Sequence, residues 1–442
     1  MLRRGLCALA AIAMCAAPAA HADGLKGAQA IQLTSDQQLD PRLHELTLET
    51  PALSAPTGVR VLLPDGYDSH PNRRYPVLYL LHGAADDYRS WTDKGDAEAI
   101  TSGSGLIVVM PDSGPTLGYV DWFNGGAFGP PAWETYHVDE LIPWIDEHYR
   151  TVATREGRAI AGLSMGGGGA MHYAADHPDL FVYAAGYSPA VNLRDPALIA
   201  LNQADVGSDG MPSPAYGPYA TQEVRWHGEN PLDLSENLRG MKLALRTGNG
   251  MPGGEFGGSG DPIEQSVHRM AVDMDARLNE LGIDHVFEDY GNGSHAWPYW
   301  QKDLRTELPL LMKTFADPPA PPTRFSYVSI DDRYEDYGWR VRVDRLATEF
   351  SRLRVRNATR FALSGSGDAV VRTPPTLEPG ATYAVHAHGP NDGEGLKVRA
   401  DRHGSLRIPL VLGPPNPDQE YTAAAQTAGT RVFTTRVRIR PA

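Results

Sequence analysis

Ser164 stands between Gly162 and Gly166 in the run Arg158–Tyr173, RAIAGLSMGGGGAMHY. The spacing is G-x-S-x-G. Apolar Ala159, Ile160 and Ala161 precede the serine, and a run of small residues follows it. That order predicts a strand, a tight turn and a helix, with the serine at the apex. So tight a turn strains the serine's backbone, and flanking glycines remove Cβ clashes. A serine hydroxyl is a weak nucleophile and needs a base. His295 can supply one. The run Tyr290–Trp300, YGNGSHAWPYW, puts it in a Gly/Asn turn after the strand-like His285–Tyr290, among Trp297, Tyr299 and Trp300. Where the chain order is serine, acid, histidine, the base sits after a late strand. The chain holds 15 histidines, so residue type alone selects nothing. His172 and His177 follow Ser164 on one helix and read as structural. Ser164 and His295 together point to attack on a carbonyl through a covalent serine intermediate.

Such attack needs N–H donors for the oxyanion. Tyr75–Leu81, YPVLYLL, is continuously apolar, as expected of a strand buried on both faces. It ends in His82-Gly83-Ala84-Ala85-Asp86-Asp87. In enzymes with this elbow that loop donates one backbone N–H, and the residue after the nucleophile donates the other. The amides of Ala84 and Met165 are the candidates. The acid lies between serine and histidine, after the strand-like Lys242–Arg246 and the turn Gly248-Asn249-Gly250. Glu264, Asp261 and Glu255 all qualify. Asp261-Pro262-Ile263-Glu264 also reads as a helix start, with an Asp N-cap, Pro at the first position and Glu at the third. His82, Trp122, Phe123 and Trp297 are the expected substrate-binding side chains, with Trp133 a further pocket aromatic.

At this point the chain resembles a known group, the antigen 85 mycolyltransferases and esterase D-type proteins among the α/β-hydrolases. The matching pieces keep one order: Tyr79–Tyr88, Asp121-Trp122, Trp133-Glu134-Thr135, Gly162–Gly166, Tyr216-Gly217-Pro218, Gly248-Asn249-Gly250 and Ser294–Trp300. They cover roughly residues 40–315. The resemblance implies a Ser–Glu–His triad, an acylated serine and no cofactor. Its spacing favours Glu264 as the acid. The sequence departs from the antigen 85 pattern after Leu81. That group carries an Asp and then an Arg there for its trehalose acceptor; His82 and Ala85 stand in their place. Simple ester hydrolysis is therefore the safer inference than mycolyl transfer.

Composition bounds the rest. MLRRGLCALAAIAMCAAPAAHA reads as a secretory leader, with Arg3 and Arg4, an apolar middle and Ala20-His21-Ala22 as a cleavage site. The apolar run is too short for a membrane span. Both cysteines, Cys7 and Cys15, fall inside it, so the mature chain would hold neither a disulfide framework nor a cysteine metal site. Formal net charge is −14, or −16 without the leader's two arginines. Charge of that sign argues against nucleic acid or an anionic membrane as partner. No metal-ligand motif such as H-E-x-x-H is present.

The elements that must position these groups alternate. Strand-like runs at 44–48, 59–63, 77–81, 106–110, 159–161, 182–185, 243–246 and 285–289 are separated by helical patterns such as Val138–Tyr149 and Ile263–Leu281. This predicts an α/β fold, a three-layer α/β-hydrolase sandwich. A loopy insert, Val191–Leu238, sits where such folds carry a lid or substrate wall. Asp317-Pro318-Pro319-Ala320-Pro321-Pro322 reads as a semi-rigid linker. Short alternating runs beyond it predict a C-terminal all-β sandwich. The expected organisation is a leader at 1–22, a catalytic domain at 23–316, a linker at 317–323 and a β domain at 324–442. The expected protein is a secreted serine carboxylic-ester hydrolase, extracellular or in the cell envelope. Alternatives are an acyltransferase, a feruloyl or acetylxylan esterase, and a non-catalytic surface-binding protein. An ester-bearing small molecule, lipid or polysaccharide is the expected partner, with surface or polymer contact through the β domain.

Overall fold

The computed structural model describes residues 27–442 except 115, 117, 207–211 and 391–394. The expected leader lies outside the described residues. Nine strands form one sheet: β1 (Gln32–Gln38), β2 (Leu43–Glu49), β3 (Thr57–Leu62), β4 (Val77–Leu81), β5 (Ile107–Pro111), β6 (Arg158–Leu163), β7 (Tyr183–Tyr187), β8 (Lys242–Thr247) and β9 (Val286–Asp289). Their order is β1-β2-β3-β5-β4-β6-β7-β8-β9. The first three strands enter antiparallel, and β4 to β9 run parallel.

The central strands are apolar on both faces because both faces are covered. Along β4, Val77, Tyr79 and Leu81 join one core with the helix Ser164–Asp176 and the helix Pro262–Leu281. Leu78 and Leu80 join the opposite core with Trp91 and the helix Trp297–Ala316. A period of two along the strand thus feeds two layers of helices. The chain leaves β4 toward β5 on one side and returns to β6 on the other. The strand order therefore reverses at β4, and the crevice at the carboxyl ends of β4 and β6 is where such sheets bind ligands.

Ten further strands follow: β10 (Phe325–Ser329), β11 (Arg333–Asp336), β12 (Trp339–Asp344), β13 (Ser351–Asn357), β14 (Arg360–Gly365), β15 (Gly367–Arg372), β16 (Thr382–His388), β17 (Leu396–Arg399), β18 (Arg407–Gly413) and β19 (Phe433–Pro441). They form two antiparallel sheets, β10-β13-β14-β19-β16-β17 and β11-β12-β15-β18, over one shared core. The proline-rich stretch before them is tied down. The buried Arg155 donates to Pro319 O at 3.0 Å. Asn237 and Val328 exchange a reciprocal pair of hydrogen bonds, each 2.9 Å long.

A buried ionic cluster stands at this seam. Glu134 accepts from His172 Nε2 at 3.1 Å and from His177 Nε2 at 2.8 Å. Glu229 lies 3.3 Å from His172 and 3.5 Å from Arg225. From the β sheets, Tyr327 donates its hydroxyl to Asp176 O at 2.7 Å. Three atoms of Glu134, His172 and Glu229 lie close enough to share a cation. With Arg225 and two imidazoliums beside the carboxylates, the charges already compensate, and the cluster reads as an ion-pair network.

Burial opposes charge on His172, but the Glu134 carboxylate outweighs it and lifts His172 to about 9. Burial likewise opposes His177, which Glu134 and Asp176 raise to about 10. A folded pKa above the free value of 6.5 adds stability that is complete below pH 6.5. That stability is lost as pH rises through 9 to 10. The melting temperature should therefore fall on an alkaline limb. His172→Gln should cost roughly 3 kcal/mol at pH 7 and flatten that limb. Thermal unfolding of both proteins from pH 6 to 10 measures it, and parallel limbs would assign the loss to other groups.

Candidate active site

The site is built where β4 and β6 end side by side. Ser164 begins its helix with φ of +52°, in the left-handed region that costs a non-glycine residue energy. The turn closes because two neighbours lack Cβ. A Cβ on Gly162 would sit 2.3 Å from Gly166 O, and one on Gly166 would sit 2.4 Å from His82 O. The loop after β4 presses on the elbow in turn: a Cβ on Gly83 would lie 3.4 Å from Ser164 Cβ. Ala84 N and Met165 N have no hydrogen-bond acceptor among the described residues. Met165 N is one of the orphan donors of a helix start.

Glu264 lies on the first turn of the helix Pro262–Leu281 and is fully buried. Its Oε2 meets His295 Nδ1 at 2.7 Å. Its Oε1 accepts from Gly248 N at 2.7 Å, Ser188 Oγ at 2.9 Å and Thr247 Oγ1 at 3.0 Å. Asp261 does something different. Its Oδ1 caps the same helix through Ile263 N and Glu264 N, and its Oδ2 accepts from His295 N at 2.8 Å. One acid thus orients the imidazole and its neighbour anchors the imidazole's backbone. Glu255 pairs with Lys302 instead. Trp300 stands edge-on to the His295 ring, 5.0 Å between centroids, and donates to Ser188 Oγ. Ala190 N, two residues past Ser188, donates to Ser164 O at 3.0 Å. Neither Ser164 Oγ nor His295 Nε2 has a hydrogen-bond partner among the described residues, so both stay available to a ligand.

The expected binding side chains divide. His82 is buried and engaged: Nδ1 lies 2.8 Å from Gly83 O, and Nε2 takes the Ser113 amide at 3.1 Å. With both ring nitrogens used, it supports the loop and is not placed for substrate contact, contrary to expectation. Trp297 is wedged edge-on between Trp91 and Trp300. Phe123 binds the insert, its amide donating to Ala215 O at 2.9 Å, and Arg225 covers its ring at 5.5 Å. Trp122 packs against the insert's own small core. Trp133 stacks on His137 in the main core. Ser188 and Thr247 went unnoticed in the sequence, and Gly248 was read only as part of a turn. Hydroxyl residues and glycine after strands are too common to be a signal. A cavity of about 560 Å³ opens at the start of β6, lined by Asp146, Glu147, Arg158 and Glu335, and holds none of these groups.

Known proteins resemble much of this chain. An esterase family described as "Putative esterase" matches residues 50–311. The esterase Rv1288 of Mycobacterium tuberculosis is 32% identical over 278 residues, covering 60% of this chain and 58% of that protein. The match thus spans little more than half of that relative's length. The diacylglycerol acyltransferase/mycolyltransferase Ag85B of Mycobacterium avium is 31% identical over 322 residues, 69% of this chain and 93% of its own. A solved ferulic acid esterase is 26% identical over 62% of this chain and 97% of its own, with a TM-score of 0.49. With the family match running from β3's approach to the last catalytic-side helix, the chain belongs to this esterase family.

Proposed function

We propose that the protein is a serine carboxylic-ester hydrolase working through an acyl-enzyme. The observation that carries this reading is the Glu264–His295 pair, linked through Ser188 and the Ala190 amide to a serine held at positive φ. In this reading Ser164 attacks the ester carbonyl while His295 Nε2 takes its proton. The same nitrogen then protonates the leaving alcohol. Glu264 keeps Nδ1 protonated and stabilises the imidazolium. The amides of Ala84 and Met165 receive the oxyanion. Water repeats the sequence to release the acid. The leader at 1–22, export of the chain, a catalytic part at 23–316, a linker at 317–323 and a β-sandwich domain at 324–442 belong to the same proposal.

Acyl transfer is the second reading, favoured by the likeness to a protein named as an acyltransferase. An alcohol would replace water at the same acyl-enzyme. Esterification of a sugar alcohol, as against free-acid release, separates the two in one product assay. A feruloyl-type substrate is tested with methyl ferulate in the same format.

Ser164→Ala should remove turnover of p-nitrophenyl butyrate by several orders of magnitude and abolish fluorophosphonate labelling, with an unchanged circular dichroism spectrum. A variant that still labels would move the nucleophile elsewhere. Glu264→Gln and Asp261→Asn should then part company. The first should lower kcat by orders of magnitude, through the lost orienting carboxylate. The second should cost about 0.5–2 kcal/mol of stability through the cap, with a smaller loss of rate. The reverse pattern would make Asp261 the acid.

A further inference from the structure

Charge is unevenly shared along this chain. Residues 324–442 carry 18 Arg and Lys against 13 Asp and Glu, a net of +5, so the first 323 residues carry −19 of the total −14. The excess has an address. Arg352-x-Arg354-x-Arg356 on β13 and Arg436-x-Arg438-x-Arg440 on β19 repeat with period two. In a strand that period puts them on one face. Their intervening residues, Leu353, Val355, Val437 and Ile439, are buried in the core between the sheets. Arg354, Arg360, Arg436, Arg438, Arg440 and Lys397 are all exposed.

The register makes them one array. Arg360 stands directly opposite Arg438. Ala362 of β14 separates Arg354 from Arg436, and Ala384 of β16 separates Arg440 from Lys397. Like charges directly opposite one another destabilise a sheet. None of these six pairs with a carboxylate among the described residues. The outer face of the other sheet mixes signs: Arg333 stands opposite Arg342, but Arg340 pairs with Glu335, Arg372 pairs with Asp401, and Asp344 stands opposite Asp368. An array that costs stability and lacks internal counter-ions is complementary to an external anion.

We infer that the outer face of β13, β14, β19, β16 and β17 binds an acidic polysaccharide, a linear chain bearing carboxylates. Guanidinium forks match carboxylates in bidentate pairs. Same-face side chains recur every ~6.8 Å along a strand and every ~4.8 Å across strands, so a chain crossing the sheet meets a cation at every step or every second step. Small Ala362, Ala384 and Thr434 fill the gaps, with no aromatic platform on which bases would stack. No apolar anchor is offered to a bilayer. A planar anionic membrane would also confront the acidic remainder of the molecule, whereas a single chain meets only the cationic strip.

Polygalacturonate binding by the full-length protein tests this, with neutral dextran, single-stranded DNA and phosphatidylglycerol vesicles in parallel. Polygalacturonate should bind at low salt, weaken steeply as salt rises, and bind more tightly than the other three. Arg436→Gln/Arg438→Gln/Arg440→Gln should weaken it about tenfold or more. The corresponding triple Lys variant, which keeps the charge, should retain most of the binding. Arg333→Gln/Arg340→Gln/Arg342→Gln removes equal charge from the other sheet and should change Kd less than about twofold. Turnover of p-nitrophenyl butyrate should be unchanged in all three, which also reports folding. Equal loss in both Gln variants, absence of binding, or tighter binding to DNA or vesicles would overturn the assignment.

Discussion

A carboxylate with no exposure to water is the constraint around which the site is arranged. Burying a carboxylate without partners is costly, so the lone pairs of Glu264 have to be used. Four donors use them: a backbone amide, two hydroxyls and the His295 ring. They come from three places. Gly248 and Thr247 end β8, Ser188 follows β7, and His295 follows β9. The acid therefore locks three neighbouring strand ends to one another. The imidazole is the only one of its partners with a free face. Orientation of the imidazole thus follows from satisfying a buried carboxylate, whose partners are set by the ends of the sheet strands.

The same logic explains what the sequence disclosed. The parallel strands were legible because burial on both faces demands unbroken apolar runs, as in Val77–Leu81. The elbow was legible because crowding at 2.3–2.4 Å permits only glycine at 162 and 166. Strand β1, QLTSDQQ, was not. It is exposed along its whole length, so no alternation of burial marks it, although Thr34 and Asp36 also bond β2 through their side chains. No strand-like run was expected before residue 44. His82 misled because its place after β4 resembles a binding position. Only the structure shows that Ser113 and the loop's own carbonyl consume its ring.

The choice between Asp261 and Glu264 shows where sequence stops. Both acids lie within one helix turn, and the capping pattern is compatible with either role. What separates them is direction. An N-cap side chain folds back over the first amides, whereas a residue at the third helical position projects from the helix flank. Here the flank faces β8. The proline-rich stretch has contacts that composition does not carry. Composition suggested a spacer, yet Arg155 and the Asn237–Val328 pair hold the following strands against the first sheet's helices.

Averaging was the other limit. A total of −14 excluded polyanions as partners only if charge were uniform. It is not, because a strand sorts its residues by parity. Alternating Arg with Val, Leu or Ile contributes little to a chain total but concentrates every cation on one surface. The acidic first 323 residues then have two effects. They keep the whole molecule soluble and repel broad anionic surfaces, while leaving the basic strip to contact narrow ones. In the proposed reading, a face with that selectivity, joined through the contacts of the Glu134 cluster to the Ser164 site, would hold that site near a bound chain. The seam matters here because a flexible tether would raise local concentration without setting orientation.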